Sequence, residues 1–422
     1  MNLAVIGSGG REHALCYKLK QSTKIKKLFC IPGNAGTQMI AKNIKTDISD
    51  FRAIYKVIKK HCIDLVIVGP EQPLVDGLVN YLNKKRIKVF GPQKFAAQLE
   101  GSKAFLKNLC KKNNIPTANF GIFNNINDAS NFIKKNGTPI VVKADGLAAG
   151  KGVFVCKSTN EALKNAKDIL NGKFKSSNKV IIEEFLDGEE LSYFLIVDKY
   201  SYCFFGSAQD HKRAGEGDVG PNTGGMGAYS PASLLTKNLD KKIRKKIIEP
   251  TLKAMKKLNQ PYNGFLYAGL MICKNEPYLI EYNIRMGDPE CQVLMMRLKT
   301  DLVKIIDKAM ENKLKNIKIK WCNENAITIA LCAKGYPGIY IKNSEIKNLS
   351  KIVSNKKNQI FHAGTYLKNN KIYSSGGRVL NITTSSNNLF EARNEALSKI
   401  KKINWKDGFF RKDIGWKVIN KK

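Results

Sequence analysis

The chain has 422 residues, a hydrophobic fraction of 43% and a formal net charge of +37; these values exclude a disordered or collagen-like protein, and the length predicts two to four domains. No apolar run approaches the roughly 18 residues that a membrane-spanning helix needs, and the first residues lack the basic and apolar regions of a signal peptide. The ten cysteines form no Cys-x-x-Cys pair, so we expect reduced thiols in a cytoplasmic protein rather than disulfides or a zinc site.

The positive charge comes mainly from lysine, since 62 basic residues are lysine and 10 are arginine. Surfaces that recognise nucleic acids favour arginine for bidentate phosphate contacts. Here the lysines are scattered among many Asn and Ile residues. AT-rich codons favour all three residue types, so a bias of the genome explains the positive charge at least as well as function does. We therefore expect no specific nucleic-acid partner and no membrane, although the charge favours the approach of phosphorylated substrates.

The first hundred residues alternate strands with helices. Apolar runs predict strands at 3–6, 28–31, 65–68 and 89–90, and helical spacing predicts helices at 11–20 and 51–60. Such alternation is typical of a doubly wound parallel sheet covered on both faces. We assign residues 1–101 to this N-terminal α/β domain.

Two further units follow. The middle unit, 102–320, begins with a helix capped by Ser102 and continues with predicted strands at 140–143, 153–156, 180–182, 193–197, 269–273 and 278–282. Between them, 207–230 is predicted to be a long loop rich in Gly, Asp and Asn, and long loops in compact domains are usually functional. Residues 321–422 predict a smaller C-terminal α/β domain.

Two segments of the first unit resemble ligand-binding turns. Gly7-Ser8-Gly9-Gly10 lies between a strand and a helix, where backbone N–H groups can hold a phosphate; a tight turn without a ligand is the alternative. The dinucleotide fingerprint requires glycine at position 12, where Glu12 stands, so NAD binding is disfavoured. Glu71 follows another parallel strand, at the edge where ligands bind such sheets, but a solvated loop acid is equally compatible.

The middle unit carries two segments suited to a nucleotide. Lys143 ends a strand before the glycine-rich loop 144–152, so it can neutralise phosphate oxygens while loop N–H groups cover them; a simple glycine hairpin is the alternative. Gly152 follows Lys151, which excludes a Walker A loop. The acidic turn 183–190 can contact an adenine edge through its backbone and a ribose through a carboxylate. Considered alone, however, this segment is better explained as an acidic turn on the protein surface.

A third segment combines metal and anion chemistry. Glu281, Asn283 and Arg285 alternate along a predicted strand and therefore share one face. Two oxygen ligands beside a guanidinium suit Mg²⁺ and an anionic substrate, with a structural ion-pair network as the alternative. His211, beside the glycine-rich stretch 220–227, is either a general base or a hydrogen-bonded structural histidine.

Taken together, segments 6–14, 143–153, 209–230 and 280–292 resemble the phosphoribosylamine–glycine ligase family, the glycinamide ribonucleotide synthetases of purine biosynthesis within the ATP-grasp superfamily. The resemblance includes segments 361–365, 376–380 and 411–415, so it runs nearly end to end. It implies an ATP-grasp unit with a mobile lid at about 119–188. It also implies that ATP, glycine and 5-phosphoribosylamine react through a glycyl phosphate to give glycinamide ribonucleotide, ADP and phosphate.

The resemblance assigns roles to individual residues. ATP would be held by Lys103, Lys143, the lid-loop residues Gly150, Lys151 and Gly152, the hinge residues Glu184, Phe185 and Leu186, and the ribose carboxylate Glu190. Mg²⁺ or Mn²⁺ would be bound by Glu281 and Asn283, and the catalytic residues would be Lys143 and Arg285, of which Arg285 also contacts substrate. Glycine would lie among Asp210, Lys212, Asn222, Thr223 and Gly224, and phosphoribosylamine beside Gly9, Gly10 and Glu71.

The resemblance further implies a cytoplasmic enzyme of small molecules, which we expect to be a monomer. The alternative within the same fold is another ATP-grasp carboxylate–amine ligase, such as a carboxyaminoimidazole ribonucleotide synthase, against which segment 210–230 argues. The alternative of a different class is a basic nucleic-acid-binding protein.

Overall fold

The computed structural model describes residues 1–148, 152–174 and 177–420. Within these ranges no helix combines the length and the apolar character needed to cross a bilayer. The predicted mixed α/β class is confirmed, and the chain forms a parallel sheet, an antiparallel lid sheet and a long main sheet.

The N-terminal sheet is parallel throughout. Its strands are β1 (Asn2–Gly7), β2 (Lys27–Pro32), β3 (Lys42–Asn43), β4 (Leu65–Val68) and β5 (Lys88–Phe90), in the order β3-β2-β1-β4-β5. The helices of this region are α1 (Gly10–Leu19), α2 (Phe51–Lys60), α3 (Glu71–Asp76) and α4 (Leu78–Lys84). Because β1 and β4 are neighbours, the turn after β1 and Glu71 after β4 meet at the same edge of the sheet.

The lid sheet is a four-stranded antiparallel sheet that follows two short connecting helices, α5 (Gln98–Gly101) and α6 (Lys103–Lys112). It contains β6 (Phe120–Phe123), β7 (Ile140–Ala144), β8 (Val153–Cys156) and β9 (Val180–Glu184), with α7 (Ile126–Asn136) and α8 (Thr159–Leu170) packed against it. Alternate residues of β7, such as Ile140 and Val142, join the core with these helices. The intervening residues Val141 and Lys143 therefore face the other side, toward the cleft described below.

The main sheet runs from the middle of the chain into its C-terminal region. It contains β10 (Glu189–Val197), β11 (Tyr202–Asp210), β14 (Gly227–Ser230), β15 (Gly264–Cys273) and β16 (Glu276–Asn283); the ribbon β12 (Arg213–Gly215) and β13 (Val219–Asn222) lies outside it. Helices α9 (Lys237–Ile243), α10 (Glu249–Lys257), α11 (Glu290–Arg297) and α12 (Leu302–Met310) accompany these strands.

The C-terminal strands extend the same sheet. Strand β17 (Asn325–Ala333) pairs with β14, and β22 (Arg378–Ser386) and β19 (Asn358–His362) follow, with β23 (Gly408–Phe409) also on β17. The remaining elements are β18 (Glu345–Ile346), β20 (Thr365–Lys368), β21 (Lys371–Ser374), α13 (Leu389–Ile400) and α14 (Trp416–Ile419). One hydrogen-bonded sheet thus crosses the position at which we predicted a domain boundary.

Segment 207–230 differs from its predicted loop conformation. Strand β11 extends to Asp210 and β14 begins at Gly227, so both ends of the segment belong to the main sheet. We call residues 210–227, from the last residue of β11 to the first residue of β14, the substrate loop, because this stretch carries the side chains expected to surround glycine.

Candidate active site

The N-terminal region, the lid sheet and the main sheet enclose a cleft of about 810 Å³. The predicted site residues that line it are Glu71, Lys103, Lys143, Gly152, Glu184, Phe185, Leu186, Glu190, Asp210, Lys212, Asn222, Thr223, Gly224, Glu281, Asn283 and Arg285. Gly150 and Lys151 lie outside the described residues. The structure therefore brings residues from positions 71 to 285 to one place.

Gly9 and Gly10 lie beside the cleft rather than among its lining residues. The backbone N–H of Gly9 donates to Glu12 Oε2 at 2.6 Å, and a Cβ on Gly10 would lie 2.5 Å from Asn381 Nδ2. A carboxylate of the chain itself therefore occupies part of the start of α1. The contact of both glycines with phosphoribosylamine stays a prediction.

Two lysines share one carboxylate at the nucleotide side of the cleft. Glu183 Oε2 lies 2.8 Å from Lys107 Nζ and 2.9 Å from Lys143 Nζ. Burial opposes the charged form of Glu183, but the two lysines outweigh it and lower its pKa. Lys103 Nζ donates to the carbonyl of Gly146 at 2.9 Å. The site therefore carries excess positive charge where phosphate oxygens are expected.

The hinge between β9 and β10 forms one wall of the cleft. The N–H of Glu184 donates to Asn119 O at 2.9 Å, and its carboxylate accepts from the backbone N–H of Asn119, also at 2.9 Å. Residues 185–188 follow without regular structure and line the cleft. Farther along, Glu190 forms an ion pair of 2.8 Å with Lys212, so the expected ribose carboxylate touches the expected glycine site.

The predicted metal ligands lie next to each other on β16. Asn283 Nδ2 is 3.4 Å from Glu281 Oε1, and both side chains line the cleft. Burial opposes ionisation of Glu281, but Lys212, Lys103 and Lys143 lower its pKa. A carboxylate and a carboxamide are hard oxygen donors, so the pair fits Mg²⁺, which completes its coordination with phosphate oxygens and water.

Arg285 connects β16 to the N-terminal region through two carboxylates. Its Nε lies 3.0 Å from Glu71 Oε2, and its Nη2 lies 2.7 Å from Glu100 Oε1. Arg285 lowers the pKa of Glu71 to about 2, whereas burial raises the pKa of Glu100 to about 7. The guanidinium is thus fixed at the place where the cleft meets the N-terminal sheet.

The substrate loop turns back on itself beside β11. Both the N–H and the Oγ1 of Thr223 donate to Lys212 O at 2.8 Å. Burial and the nearby charge of Glu290 raise the pKa of Asp210. This arrangement places a cation and buried carboxylates together, which suits an amino acid that carries both charges.

His211 has a structural environment. Its Nε2 accepts the N–H of Gly415 at 3.0 Å, and its buried Nδ1 has no hydrogen-bond partner within the described part of the chain. Burial lowers its pKa to about 4. Of the two alternatives, this geometry favours the hydrogen-bonded structural histidine.

Sequence reasoning missed several residues of the site. Lys107 and Glu100 belong to no motif, so no local signal marked them, and Glu183 lies in the acidic turn 183–190 but received no role of its own. Arg378 donates to the carbonyls of Gly224 and Asp288. Its Gly-Gly-Arg-Val-Leu segment was noted as part of the family resemblance, but without a role.

Three protein-family descriptions match successive parts of the chain. They are "Phosphoribosylglycinamide synthetase, N domain" over residues 1–100, the "ATP-grasp (A) domain" of the same name over 101–291, and its "C domain" over 326–417. The matches together cover most of the 422 residues.

Curated relatives carry one name. The chain is 48% identical over 422 residues to a protein of Brucella melitensis named phosphoribosylamine–glycine ligase, with 100% of this chain and 99% of the relative covered. It is 48% identical over 423 residues to the Arabidopsis thaliana protein named phosphoribosylamine–glycine ligase, chloroplastic, with 98% and 79% covered.

Solved structures agree at the level of the fold. The chain is similar to the crystal structure of phosphoribosylamine–glycine ligase from Thermotoga maritima, with a TM-score of 0.86, 32% identity, and 98% and 100% of the two chains covered. The biotin carboxylase domain of a Hydrogenobacter thermophilus carboxylase, described in complex with MgADP, ADP and bicarbonate, aligns with a TM-score of 0.75 at 17% identity over 97% of this chain and 91% of that chain. That second likeness concerns the fold alone.

Proposed function

The chain belongs to the phosphoribosylglycinamide synthetase family, and on this premise we propose that its cleft joins glycine to 5-phosphoribosylamine with conversion of ATP to ADP and phosphate. The product is glycinamide ribonucleotide, and the reaction is the second step of purine biosynthesis. The observation that carries the proposal is the convergence of Lys103, Lys143, Glu281, Asn283 and Arg285 on one cleft.

The reaction proceeds in two displacements. A carboxylate oxygen of glycine attacks the γ-phosphorus of ATP, the bond to ADP breaks, and glycyl phosphate forms. The amine nitrogen of phosphoribosylamine then attacks the carbonyl carbon, phosphate leaves, and the nitrogen loses a proton. No protein nucleophile takes part, so catalysis rests on positioning and charge neutralisation.

The chain supplies specific groups to these displacements. Lys103 and Lys143 neutralise phosphate oxygens, and Arg285 orients the glycine carboxylate and its phosphorylated form. Lys212 and Asp210 hold the two charged ends of glycine, with Asn222, Thr223 and Gly224 around them. Glu184, Phe185, Leu186 and Glu190 hold the nucleoside, while Gly9, Gly10 and Glu71 face phosphoribosylamine.

Glu281 and Asn283 would hold Mg²⁺ or Mn²⁺. When bound, the cation supplies charge neutralisation to the phosphates. We expect Glu281→Ala to abolish metal-dependent ADP release while the protein stays folded, because one carboxylate ligand is lost. The matched control is Glu276→Ala, on the same strand but paired with Lys242 and Lys246 at the surface; near-normal turnover of Glu281→Ala would remove Glu281 from the metal site.

A coupled ADP-release assay tests the proposed activity. The purified chain is given ATP, Mg²⁺, glycine and freshly generated phosphoribosylamine, and each component is omitted in turn. We expect release only with all four present. Release that needs bicarbonate and an aminoimidazole ribonucleotide instead would identify a different carboxylate–amine ligase of the same fold.

The proposal also includes a monomer that acts in the cytoplasm, divided at 1–101, 102–320 and 321–422. All ten cysteines are free thiols, which is the state that a reducing compartment maintains. Light scattering after size exclusion should give a mass near 47.2 kDa; twice that mass would exclude the monomer.

A further inference from the structure

The substrate loop needs support from outside itself. Between β11 and β14, its regular structure consists of the ribbon β12–β13 and a short 3-10 turn at Glu216–Asp218, and the ribbon pairs with no other strand among the described residues. Two-stranded ribbons are marginally stable in water. At its tip, Gly217 and Asp218 have left-handed φ values of +69° and +60°, a conformation that is less favourable for Asp218 than for glycine.

A C-terminal segment, residues 411–417, provides that support. Arg411 Nη1 donates to Asp218 Oδ1 at 2.9 Å and to Arg213 O at 3.0 Å, so one nitrogen joins the tip of the ribbon to the first residue of β12. The rest of the guanidinium donates to both oxygens of Asp413 at 2.7 and 2.8 Å. Asp413 in turn accepts the N–H of Gly217 at 2.8 Å.

Further contacts follow the same segment. The N–H of Lys412 donates to Glu216 Oε1 at 3.0 Å, and Lys417 Nζ lies 2.9 Å from Asp218 Oδ2. The N–H of Gly415 donates to His211 Nε2 at 3.0 Å. The segment therefore holds the loop at its tip and at its base.

Lys212 lies between two of these contacts in the chain. His211 precedes it and accepts from Gly415, and Arg213 follows it and accepts from Arg411. The carbonyl of Lys212 also receives both hydrogen bonds from Thr223. A shift of the segment would therefore move Lys212 and Thr223 together, while Lys143 on β7 and Glu184 on β9 would keep their own partners, Glu183 and Asn119.

The burial of Arg411 makes the contact more than a surface ion pair. Its side chain is 1% exposed, and a buried guanidinium is stable only with its hydrogen bonds and counter-charges satisfied. Outside its own segment, the hydrogen-bond partners that its side chain has among the described residues belong to the substrate loop. We propose that Arg411 is a positioning residue for the ligation: through Asp218 and Arg213 it fixes the substrate loop and so sets the affinity for the amino acid. This inference rests on the proposed placement of glycine in that loop.

Steady-state kinetics of four variants test the proposal. Arg411→Lys keeps the charge but loses the planar fork. Asp218→Asn removes the negative charge on the loop side of the same contact, at a side chain that is 27% exposed. Lys212→Met removes a proposed glycine contact. Arg297→Lys is the matched control, because Arg297 is also buried but donates to Glu324 O, Cys322 O and Ser230 Oγ, outside the loop.

We expect Arg411→Lys to raise the KM for glycine about tenfold, and Asp218→Asn to raise it in the same direction, with the KM for ATP changed less than about twofold. Arg297→Lys should lower thermal stability without this split between the two substrates. If Arg411→Lys does not fold, Asp218→Asn decides alone.

Three outcomes would overturn the inference. A normal glycine KM in Asp218→Asn and in folded Arg411→Lys, with a raised one in Lys212→Met, would leave the proposed function intact and remove only the role of Arg411. Equal rises for glycine and ATP would show a merely structural contact. A normal glycine KM in Lys212→Met as well would refute the placement of glycine in the loop, and the inference with it.

Discussion

The guanidinium of Arg285 joins three parts of the protein through single hydrogen bonds. It lies on the chain just after β16, contacts Glu71 at the N-terminal sheet, and contacts Glu100 at the end of α5. Arg11 Nη1 approaches the same Glu71 oxygen at 3.8 Å. Two cations thus converge on one carboxylate, so its negative charge is neutralised before any substrate arrives.

Replacing Arg285 with lysine should be poorly tolerated. A single ammonium cannot reproduce two contacts in different directions from one planar group. We expect kcat/KM to fall on the order of 100-fold, the scale of a misplaced reactive group, with an unchanged circular dichroism spectrum. Arg244→Lys, at a surface arginine with a single carboxylate partner, Asp240, is the control. Wild-type kinetics of the Arg285 variant would refute the proposed contact.

Glu100 should make stability depend on pH near neutrality. Its pKa is about 7 in the folded protein, because of burial, against a value of 4.5 for the unfolded chain. Between these values the folded state holds a proton that the unfolded state has lost. The free energy of unfolding therefore declines with rising pH across this window, by up to about 1.4 kcal/mol per pH unit.

The variant Glu100→Gln should lack that decline. Urea unfolding of both proteins at pH 5, 6 and 7 measures it, and the variant's stability relative to wild type should increase with pH and level off above about pH 7. A difference that stays constant over the range would show that Glu100 is ionised throughout.

Single residues were predictable where a local rule fixed their direction. Glu281, Asn283 and Arg285 were grouped from the two-residue period of a strand, and all three line the cleft. Strand β16 ends at Asn283, however, so the strand period holds for Glu281 and Asn283, and Arg285 lies just beyond it. Glu183 was not distinguished from its acidic neighbours, because its importance depends on Lys107 and Lys143, which lie on other elements. Such pairings are tertiary, so no spacing in the sequence indicates them.

Among the elements, those with strong local signals were predicted closely. Helix α6 begins after Ser102, whose hydroxyl accepts the N–H of Phe105 at 3.1 Å as an N-cap. Helix α2 and strand β4 have the predicted bounds. Each is defined by apolar periodicity or by flanking Gly and Pro residues, which act within a few positions.

The sequence did not indicate strand β11, because the hydrogen-bond partners of its polar residues are far from them along the chain. Ser207 and Gln209 are buried, although alone they suggest a loop. Ser230 Oγ donates to the carbonyl of Ser207 at 2.7 Å, and Gln209 Nε2 donates to Glu190 O at 3.1 Å. The strand therefore forms through pairing with β10 and β14 rather than through its composition.

Gly225 should be essential to the conformation of the substrate loop. Its φ is +112°, and a Cβ there would lie 2.5 Å from Pro289 Cδ and 2.7 Å from Asp210 Oδ1. We expect Gly225→Ala to cost about 1–3 kcal/mol of stability from backbone strain, and to raise the KM for glycine because Asp210 must move.

The control variant Gly172→Ala separates the effect of backbone strain from the effect of displacing Asp210. Gly172 also has a positive φ, +86°, but no atom of the residues that the structure describes lies within 4 Å of its added Cβ. Its variant should lose stability and keep the KM for glycine. An unaltered glycine KM in folded Gly225→Ala would contradict the link between this turn and Asp210.

At the scale of the whole molecule, the charge of +37 predicts weak, salt-sensitive attraction to polyanions. Fluorescence anisotropy with a labelled duplex should give a Kd no tighter than about 10⁻⁶ M at physiological salt, since non-specific binding depends on released counterions. Random duplexes of different sequence should bind alike. Tight, sequence-dependent binding at that salt would favour a nucleic-acid-binding protein instead.

The continuous main sheet has a consequence for dissecting the protein. Cutting the chain just before Asn325 would put β14 and β17, which are hydrogen-bonded to each other, into different fragments. Each fragment would then present an unpaired strand edge, which promotes self-association. Two halves expressed separately would have to recover activity by strand addition, so fragment complementation should depend on co-expression.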